Sequence, residues 1–339
     1  MYYTSLEDYW PGRRVALTGA TGFIGHRLAM QLTRLGGRVT ALVRPSSNRS
    51  RLAAAGIPCT TVSLEDSDGL VRAFAGREFV FHLAGAVDFE NDWERFLRVN
   101  VAGTRQVVAA AQDAGVRRLI HTSSIVAVGA ADEPEVLNEK AIWNLGSLRI
   151  PYVTSKRRAE ELALAVSARK LEVVVVNPAA VVGPDDFSAS EFGTLCRRFW
   201  RRRILLHFGG GNSFVDVRDV AEGMLLAAMR GRAGERYILG GTNRSMTAFF
   251  ADLARAADKP IMRVRLPNAF GTVVAYCNQR WPGRAGRRSY FTRGQAKLAE
   301  LFFYFSSEKA RRELGYQPRP LAGSIRDAHA FWMAGSKSA

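Results

Sequence analysis

The sequence predicts an α/β protein built on a doubly wound parallel sheet, with a smaller C-terminal α/β lobe. Three observations predict it. An apolar run at 14–17 leads into a glycine-rich turn and then an amphipathic segment at 23–35. Further apolar runs alternate with helical patterns up to residue 184, which is typical of parallel strands joined by helices. That alternation then ends, so we expect a main domain at 1–184 and a mainly substrate-binding lobe at 185–339, with part of 213–240 returning to the main sheet.

The composition is basic, with 48 Lys and Arg residues against 31 Asp and Glu residues and a net charge of +17. This charge favours an anionic partner, such as a phosphorylated cofactor, an acidic substrate or a lipid surface. No recognition motif accompanies the charge, so nucleic acid is not expected as a partner. The three cysteines, Cys59, Cys196 and Cys277, are far apart, which favours a reducing compartment and argues against a metal site.

The first ten residues include Glu7 and Asp8 and lack the apolar core of a signal peptide. No uncharged apolar run reaches the length needed to span a membrane. We therefore expect a cytoplasmic protein, with peripheral contact with an anionic membrane as an open alternative.

The glycine-rich turn has the spacing Gly-x-x-Gly-x-x-Gly, formed by Gly19, Gly22 and Gly25. Strand, glycine turn and helix in this order are typical of a Rossmann dinucleotide site, where the helix N-terminus faces the pyrophosphate. The stretch 18–25 resembles the fingerprint of the extended short-chain dehydrogenase/reductase family, of the NAD-dependent epimerase/dehydratase type. The resemblance implies that the cofactor contacts Gly19, Thr21, Gly22, Phe23, Ile24 and Gly25.

The second strand, at 38–44, ends in Arg44 and is followed by Ser46 and Ser47. An acidic residue at this point would bind the ribose hydroxyls of NAD(H), whereas a guanidinium suits a 2′-phosphate. The sequence therefore predicts a preference for NADP(H) over NAD(H). The alternative is that Arg44 is a solvated loop charge.

The third and fourth strands are predicted at 58–64 and 79–85. The resemblance places Ser63 and Leu64 near the adenine, although the family usually has an aspartate where Ser63 stands. It also places Leu83, Ala84 and Gly85 against the cofactor. We expect His82 to be a packed, hydrogen-bonded core histidine and not an acid or base.

A helical pattern runs from 92 to 114 and contains Asn100, in a stretch similar to the family's Asn-x-x-Gly-Thr motif. The resemblance implies a supporting role for Asn100 near the active-site lysine. This helix and the helix of the catalytic tyrosine could form a homodimer; an ordinary helix packed on the sheet is the alternative.

The fifth strand, at 118–121, precedes Thr122-Ser123-Ser124, and Tyr152 and Lys156 follow at the start of a long helix. Residues four apart share a helix face, so the ammonium can stabilise the phenolate and lower a pKa that is ordinarily about 10. The resemblance implies that Tyr152 transfers the proton, Lys156 lowers its pKa and holds the nicotinamide ribose, and Ser124 binds the substrate oxygen. Thr122 and Ser123 are expected to contact the cofactor.

The sixth strand, at 171–176, is continuously apolar, as a strand covered on both faces needs to be. It leads into an Asn-Pro loop at 177–184. In the family this loop meets the nicotinamide carboxamide, which implies contacts from Pro178 and Val181.

The lobe carries three open features. The arginine-rich segment 197–203 could bind anionic lipid or an acidic substrate, or form a solvated face. Asn212 stands where nucleotide-sugar enzymes of the family place a phosphate-binding arginine, which argues against such a substrate. The mixed apolar and basic stretch 266–288 could cap a lipophilic pocket, rest on a membrane or belong to the lobe core.

Within the family, the chain looks most like dihydroflavonol-4-reductase-like and 3β-hydroxysteroid dehydrogenase-like proteins. This implies an NADP(H)-dependent oxidoreductase that interconverts a ketone or aldehyde and an alcohol on a lipophilic, sterol-, hopanoid-, flavonoid- or polyketide-like substrate. The alternatives are a nucleotide-sugar epimerase or dehydratase, whose cofactor is not consumed, and a non-catalytic NADP-sensing protein, which would not need Ser124, Tyr152 and Lys156.

Overall fold

The computed structural model describes residues 4–88, 91–166, 171–201, 204–207, 209–258, 262–265 and 293–335. The stretch 266–288, for which the sequence left three roles open, lies outside these residues.

The strands follow the predicted alternation in the first half and extend it in the second. In chain order they are β1 (Arg14–Thr18), β2 (Arg38–Val43), β3 (Cys59–Thr61), β4 (Phe79–His82), β5 (Arg118–Thr122), β6 (Val136–Leu137), β7 (Glu172–Pro178), β8 (Ala180–Val182), β9 (Ile204–His207), β10 (Gly211–Asp216), β11 (Arg236–Leu239), β12 (Thr242–Ser245), β13 (Met262–Arg265) and β14 (Phe302–Phe305).

The helices lie between them. They are α1 (Leu6–Tyr9), α2 (Phe23–Arg34), α3 (Ser50–Ala54), α4 (Ser67–Phe74), α5 (Trp93–Phe96), α6 (Gly103–Asp113), α7 (Pro151–Ala165), α8 (Glu191–Arg201), α9 (Val217–Arg230), α10 (Met246–Ala257), α11 (Arg293–Leu298), α12 (Glu308–Leu314) and α13 (Leu321–Gly335). A π-helical turn, Leu97–Ala102, joins α5 to α6, and 3-10 turns occupy Ile125–Ala127 and Gly146–Leu148.

Seven parallel strands form the main sheet in the order β11-β7-β5-β4-β1-β2-β3. This order confirms the predicted doubly wound Rossmann sheet, in which the strand order reverses beside β1. Both faces are covered, because alternate residues such as Ala16 and Leu17 belong to two separate apolar clusters. In β7, Val173, Val174, Val175 and Val176 have no exposed surface, as the continuous apolar run predicts.

A second sheet has the order β12-β10-β14-β6, with β8 added along β10, and β9 pairs with β13. The sequence did not predict this sheet as a unit. Its core is aromatic: the rings of Phe214 and Phe249 stack with their centroids 3.8 Å apart, and those of Phe199 and Phe250 stack at 5.5 Å. Although β11 lies downstream of residue 184, it pairs with β7 in the main sheet.

Two elements differ from their predicted form. The third strand is only Cys59–Thr61, because Ser63 and Asp66 turn the chain toward α4, where the Asp66 carboxylate accepts a hydrogen bond from the Gly69 amide at 2.8 Å. The helix at 92–114 includes the π-helical turn, which packs on α7. A π-turn of this kind often marks a functional site.

Candidate active site

The glycine turn lies between β1 and α2 and packs against the end of β4. Gly19 has a φ of +76°, and a Cβ atom there would lie 2.7 Å from the backbone nitrogen of Ala84. A Cβ on Gly25 would collide with the Gly19 carbonyl oxygen. Only glycine fits either place without movement of the backbone. Gly22 is different, because the nearest atom to its added Cβ lies at 3.4 Å.

These residues fit a dinucleotide. Gly22 is the N-cap of α2 and makes no side-chain cap bond, so the first N–H groups of a twelve-residue helix remain available for a pyrophosphate. At the end of β5, two strands from β1 in the sheet, the hydroxyls of Thr122 and Ser123 are buried and have no hydrogen-bond partner among the described residues. Buried polar atoms are normally bonded, so unpaired hydroxyls at this edge are consistent with a ligand.

The adenosine end is more open. Arg44 is exposed at the end of β2, and no described residue forms an ion pair with it; its backbone N–H donates to the Ser47 hydroxyl at 3.2 Å. Ser63 is also exposed and its hydroxyl accepts from the Glu65 amide. Leu64 is half-buried, and its Cδ1 would lie 2.9 Å from a Cβ added to Gly103.

His82 is a buried core histidine, as expected. Its Nδ1 is 2.8 Å from the Thr18 hydroxyl and its Nε2 is 3.1 Å from the Thr104 hydroxyl. Burial, with a smaller contribution from Lys156, lowers the pKa of His82 to about 3. The ring is therefore neutral near pH 7 and suited to holding β1, β4 and α6 together.

Asn100 connects the loop after β4 to α7. Its amide bonds both backbone groups of Ala86, accepting from the N–H at 2.7 Å and donating to the carbonyl at 3.1 Å. It also donates to the Ser155 hydroxyl at 2.9 Å. This loop carries Leu83, Ala84 and Gly85, so Asn100 fixes the backbone that is predicted to meet the cofactor.

Ser124, Tyr152 and Lys156 come together at the carboxyl edge of the main sheet. The Ser124 hydroxyl is hydrogen-bonded to the Tyr152 phenol, which is 9% exposed. One turn further along α7, the Lys156 ammonium is buried and donates to the carbonyl oxygen of Thr122 at 2.9 Å. The arrangement brings a hydroxyl pair and a buried ammonium to the same sheet edge, and these are groups that can take part in proton transfer to a carbonyl oxygen.

The titration of this group differs from the sequence expectation. The pKa of Tyr152 is raised, because burial disfavours the phenolate and outweighs the hydrogen bond from Ser124; the charge of Glu191 adds to the increase. Burial lowers the pKa of Lys156 to about 8, with Glu160 acting in the opposite direction. In the protein alone, the lysine bonds the Thr122 carbonyl and does not produce the expected lowering of the phenol pKa.

Sequence reasoning missed three residues behind this group. Asn177 donates to the Ser124 carbonyl oxygen at 3.0 Å and to the Glu160 carboxylate at 2.6 Å, and Arg236 forms an ion pair with Glu160 at 2.9 Å. One of the three could have been found from the sequence, because Glu160 lies four residues after Lys156 and eight after Tyr152, on the same face of α7. Arg236 carried no signal, because it lies far along the chain.

The two predicted nicotinamide contacts lie on either side of a strand break. Pro178 ends β7 and Val181 lies in β8, which pairs with β10 of the second sheet. In the same sheet Asn212 is opposite Arg244, whose Nε lies 3.3 Å from the Asp252 carboxylate. Arg244 therefore lies beside Asn212, although it already forms an ion pair with Asp252.

Helix α8 buries its apolar face in the lobe. Cys196, Phe199 and Trp200 are buried, and the Arg197 guanidinium lies 5.1 Å from the Trp332 ring centroid. Arg198 and Arg201 are exposed. Any contact of α8 with an anionic surface would therefore rest on charge and not on its apolar face.

A charged cavity of about 820 Å³ lies behind α7 and beside β11, lined by residues such as Glu161, Arg232 and Lys309. Ser124, Tyr152 and Lys156 do not line it, so we place the candidate chemistry at the sheet edge and not in this cavity. Among the described residues, no three His, Cys, Asp or Glu side chains group as a metal site would need. No helix in the same part of the chain is both long and apolar enough to cross a membrane.

Comparison with known proteins places this geometry in a family. The model of the NAD dependent epimerase/dehydratase family matches residues 15–240. A Synechocystis sp. protein provisionally named dihydroflavonol 4-reductase is 32% identical, covering 92% of each chain. "Sterol demethylase protein B" of Methylococcus capsulatus is 31% identical, covering 93% of this chain and 97% of the relative. The solved structure of gox2253 is 32% identical with a TM-score of 0.83, covering 96% of this chain and 99% of that one.

The chain belongs to the NAD-dependent epimerase/dehydratase family of extended short-chain dehydrogenases/reductases. It is an NAD(P)-dependent oxidoreductase, as the resemblance implied.

Proposed function

We propose that this family member is an NADP(H)-dependent oxidoreductase that interconverts a ketone or aldehyde and an alcohol on a lipophilic substrate of sterol-, hopanoid-, flavonoid- or polyketide-like chemistry. The observation that carries the proposal is the buried, hydrogen-bonded pair of Ser124 and Tyr152, with Lys156 one turn away. The names of the relatives, a dihydroflavonol reductase and a sterol demethylase protein, support the lipophilic substrate class.

Each residue has a defined part in this proposal. The nicotinamide, when bound, supplies or accepts the hydride. Tyr152 donates its phenolic proton to the carbonyl oxygen in the reductive direction and takes it back in the oxidative direction. Ser124 donates a hydrogen bond to the same oxygen, and Lys156 supplies positive charge that favours the phenolate left behind.

The preference for NADP(H) rests on Arg44. A free guanidinium at the end of β2 suits a doubly charged phosphate better than it suits two ribose hydroxyls. Nothing acidic takes its place, since the residues that follow are Pro45, Ser46 and Ser47. The rest of the cofactor is proposed to bind the residues that the sequence assigned to it: the glycine turn, the loop 83–85, Asn100, Thr122, Ser123 and the loop through Pro178 and Val181.

A nucleotide-sugar epimerase or dehydratase is the second candidate, and Arg244 is the observation in its favour. It lies opposite Asn212 and could bind a diphosphate from the neighbouring strand. Its ion pair with Asp252 weakens this case, because that contact would have to be shared or broken. We therefore place this function second.

The domain boundary and two partners remain part of the proposal. We take residue 184 as the end of the cofactor domain, with β11 returned to its sheet from the lobe. We propose that two copies pair through the helix at 92–114 and α7, and light scattering checks this. We also propose that Arg198 and Arg201 contact anionic lipid, and flotation with phosphatidylglycerol vesicles checks that. A monomer at all concentrations, or no salt-sensitive flotation, would remove the respective partner.

The test uses the full chain with NADPH and then NADH against a 3-keto steroid, a dihydroflavonol and a 3-oxo ester, with UDP-glucose analysed in parallel. We expect NADPH to be consumed in equal amount to the alcohol formed, with NADH slower. Conversion of the sugar without net loss of cofactor would replace the proposal with the epimerase function.

A further inference from the structure

We propose that Glu160 is a positioning residue of the active site: its carboxylate, held by Arg236, keeps the Asn177 amide against the backbone of Ser124 and so fixes the Ser124 hydroxyl toward the Tyr152 phenol. This inference rests on the proposed function, because it takes Ser124 and Tyr152 as the reacting pair. Three steps support it.

The first step is the orientation of Asn177, which is fully buried. Its Nδ2 group donates both protons, one to Glu160 Oε2 at 2.6 Å and the other to the Ser124 carbonyl oxygen at 3.0 Å. Both partners only accept hydrogen bonds. If the amide were flipped, its Oδ1 would lie against the Glu160 and Ser124 oxygens, and no hydrogen bond could form. Asn177 therefore has one workable orientation, and Glu160 helps to set it.

The second step is the pairing of Glu160, whose side chain is 1% exposed. Its other oxygen accepts from Arg236 Nη1 at 2.9 Å, and the Nε of the same guanidinium donates to the Glu139 carbonyl oxygen at 3.0 Å. A buried carboxylate is tolerated only when it is paired and hydrogen-bonded. Arg236 meets both conditions from β11, which lies beside the Asn177 strand in the main sheet.

The third step is the effect at Ser124. This residue has extended backbone angles and caps the 3-10 turn Ile125–Ala127, where its hydroxyl accepts weakly from the Val126 amide at 3.4 Å. Helix α7 also holds this turn directly, because the Arg157 side chain donates a hydrogen bond to the Ala127 carbonyl at 3.1 Å. With its carbonyl held by Asn177, Ser124 keeps its hydroxyl in place before substrate arrives. Such preorganisation is worth large factors in rate.

Glu160 also lies one helical turn from Lys156, which gives a readout that a purely structural role would not move. The carboxylate opposes the lowering of the Lys156 pKa by burial. The other titratable groups that face the lysine from the sheet are His82 on β4 and His121 on β5, and burial lowers the pKa of both so far that they are neutral. Tyr152, on the same helix, is protonated. Glu160 is thus a charged neighbour that raises the Lys156 pKa, against the larger lowering by burial.

The decisive comparison is Glu160→Gln against Glu161→Gln. The two glutamates are adjacent on α7, and each loses one negative charge, but the Glu161 side chain is 55% exposed and pairs only with Arg157 among the described residues. We expect Glu160→Gln to lower kcat by about ten- to one-hundredfold, as is usual for groups that orient a reacting residue, with the KM for NADPH nearly unchanged. Glu161→Gln should behave as the parent protein, because the amide oxygen of the new side chain can still accept from Arg157, which keeps its bond to the Ala127 carbonyl.

The second measurement needs no substrate. The chain has seven lysines, so ε-13C-lysine labelling gives few enough signals to follow, with Lys156 assigned through Lys156→Arg. We expect Lys156 to titrate near a pKa of about 8 in the parent and about one pH unit lower in Glu160→Gln, because the ammonium loses its nearby carboxylate. The alkaline limb of the kcat profile should move to lower pH by the same amount.

Two outcomes overturn the inference: a kcat for Glu160→Gln equal to that of Glu161→Gln, or an unchanged Lys156 titration. Tyr152→Phe in the same assay separates this failure from that of the proposed function, because an active Tyr152→Phe sinks the function, whereas an inactive one beside a fully active Glu160→Gln sinks only the positioning role. If Glu160→Gln does not fold, Arg236→Lys takes its place. This variant keeps the positive charge but loses the planar guanidinium that donates to Glu160 and to the Glu139 carbonyl at the same time. We then expect a several-fold loss of kcat, and parental activity would overturn the inference.

Discussion

The carboxyl edge of the main sheet and the lobe around the second sheet use polar residues in opposite ways. At the edge, polar side chains are buried and bonded to backbone, as with Asn100 to Ala86 and Lys156 to Thr122, while the hydroxyls of Thr122 and Ser123 have no partner among the described residues. In the lobe the core is a stack of aromatic rings, and charged groups such as Arg244 pair near the surface. The edge thus presents buried hydroxyls without a protein partner in the described part of the chain, as a ligand site would, whereas the lobe core is packed from apolar and aromatic side chains.

The largest effect should come from the edge. Tyr152→Phe removes the proposed proton donor without changing the ring, so we expect kcat to fall by about a thousandfold or more while NADPH still binds. Turnover with a carbonyl probe and NADPH fluorescence measure the two effects. Tyr237→Phe is the matched control, because its hydroxyl bonds the Glu313 carboxylate and the Arg232 amide, each at 3.0 Å, and neither partner belongs to the proposed site. Turnover by Tyr152→Phe comparable to that control would remove Tyr152 from the chemistry.

Arg44→Asp tests the adenosine end. It replaces attraction for a 2′-phosphate with repulsion, so the ratio of NADPH to NADH affinity should fall by about one-hundredfold. Arg38→Asp makes the same charge change at the exposed start of the same strand, and the ratio should stay near that of the parent. Isothermal titration with both cofactors measures the ratio. An unchanged ratio in Arg44→Asp would end the case for NADP(H).

Gly22→Ala separates the ligand role of the turn from its packing role. The protein has room for the methyl group, with 3.4 Å to the nearest atom, so the melting temperature should hardly change. If the pyrophosphate approaches this backbone, NADPH affinity should nevertheless fall by about tenfold. Gly323→Ala, in α13 with no atom within 4 Å of the added Cβ, is the control that should keep full affinity. Unchanged affinity in both variants would place the cofactor elsewhere.

The smallest effect is expected in the lobe. Arg244→Gln breaks the pair with Asp252 near the surface, which is worth about 1 kcal/mol or less, and should leave NADPH affinity and the kcat for a lipophilic carbonyl within about twofold of the parent. Kinetics with the carbonyl probe and with UDP-glucose check this. A loss confined to UDP-glucose would favour the epimerase function and would narrow the contrast between the two regions.

The residues that meet at the carboxyl edge could be predicted from the sequence, because short local patterns identify them. The glycine spacing, the four-residue step from Tyr152 to Lys156 and the apolar run of β7 each depend on near neighbours in the chain. Arg236 and the order of the second sheet depend on pairing between distant segments, which local periodicity does not encode. The pKa of Tyr152 was expected in the wrong direction for the protein alone, because desolvation depends on three-dimensional burial.

The position of β11 has a consequence for how the chain is made. Until Leu239 has been synthesised, β7 is an unpaired edge of four fully apolar valines, and the carboxylate of Glu160 lacks Arg236. A nascent chain that stops near residue 184 therefore exposes a strand suited to pairing with another chain. The first 184 residues thus need a downstream strand to complete the main sheet, so a fragment that ends at the proposed domain boundary should aggregate.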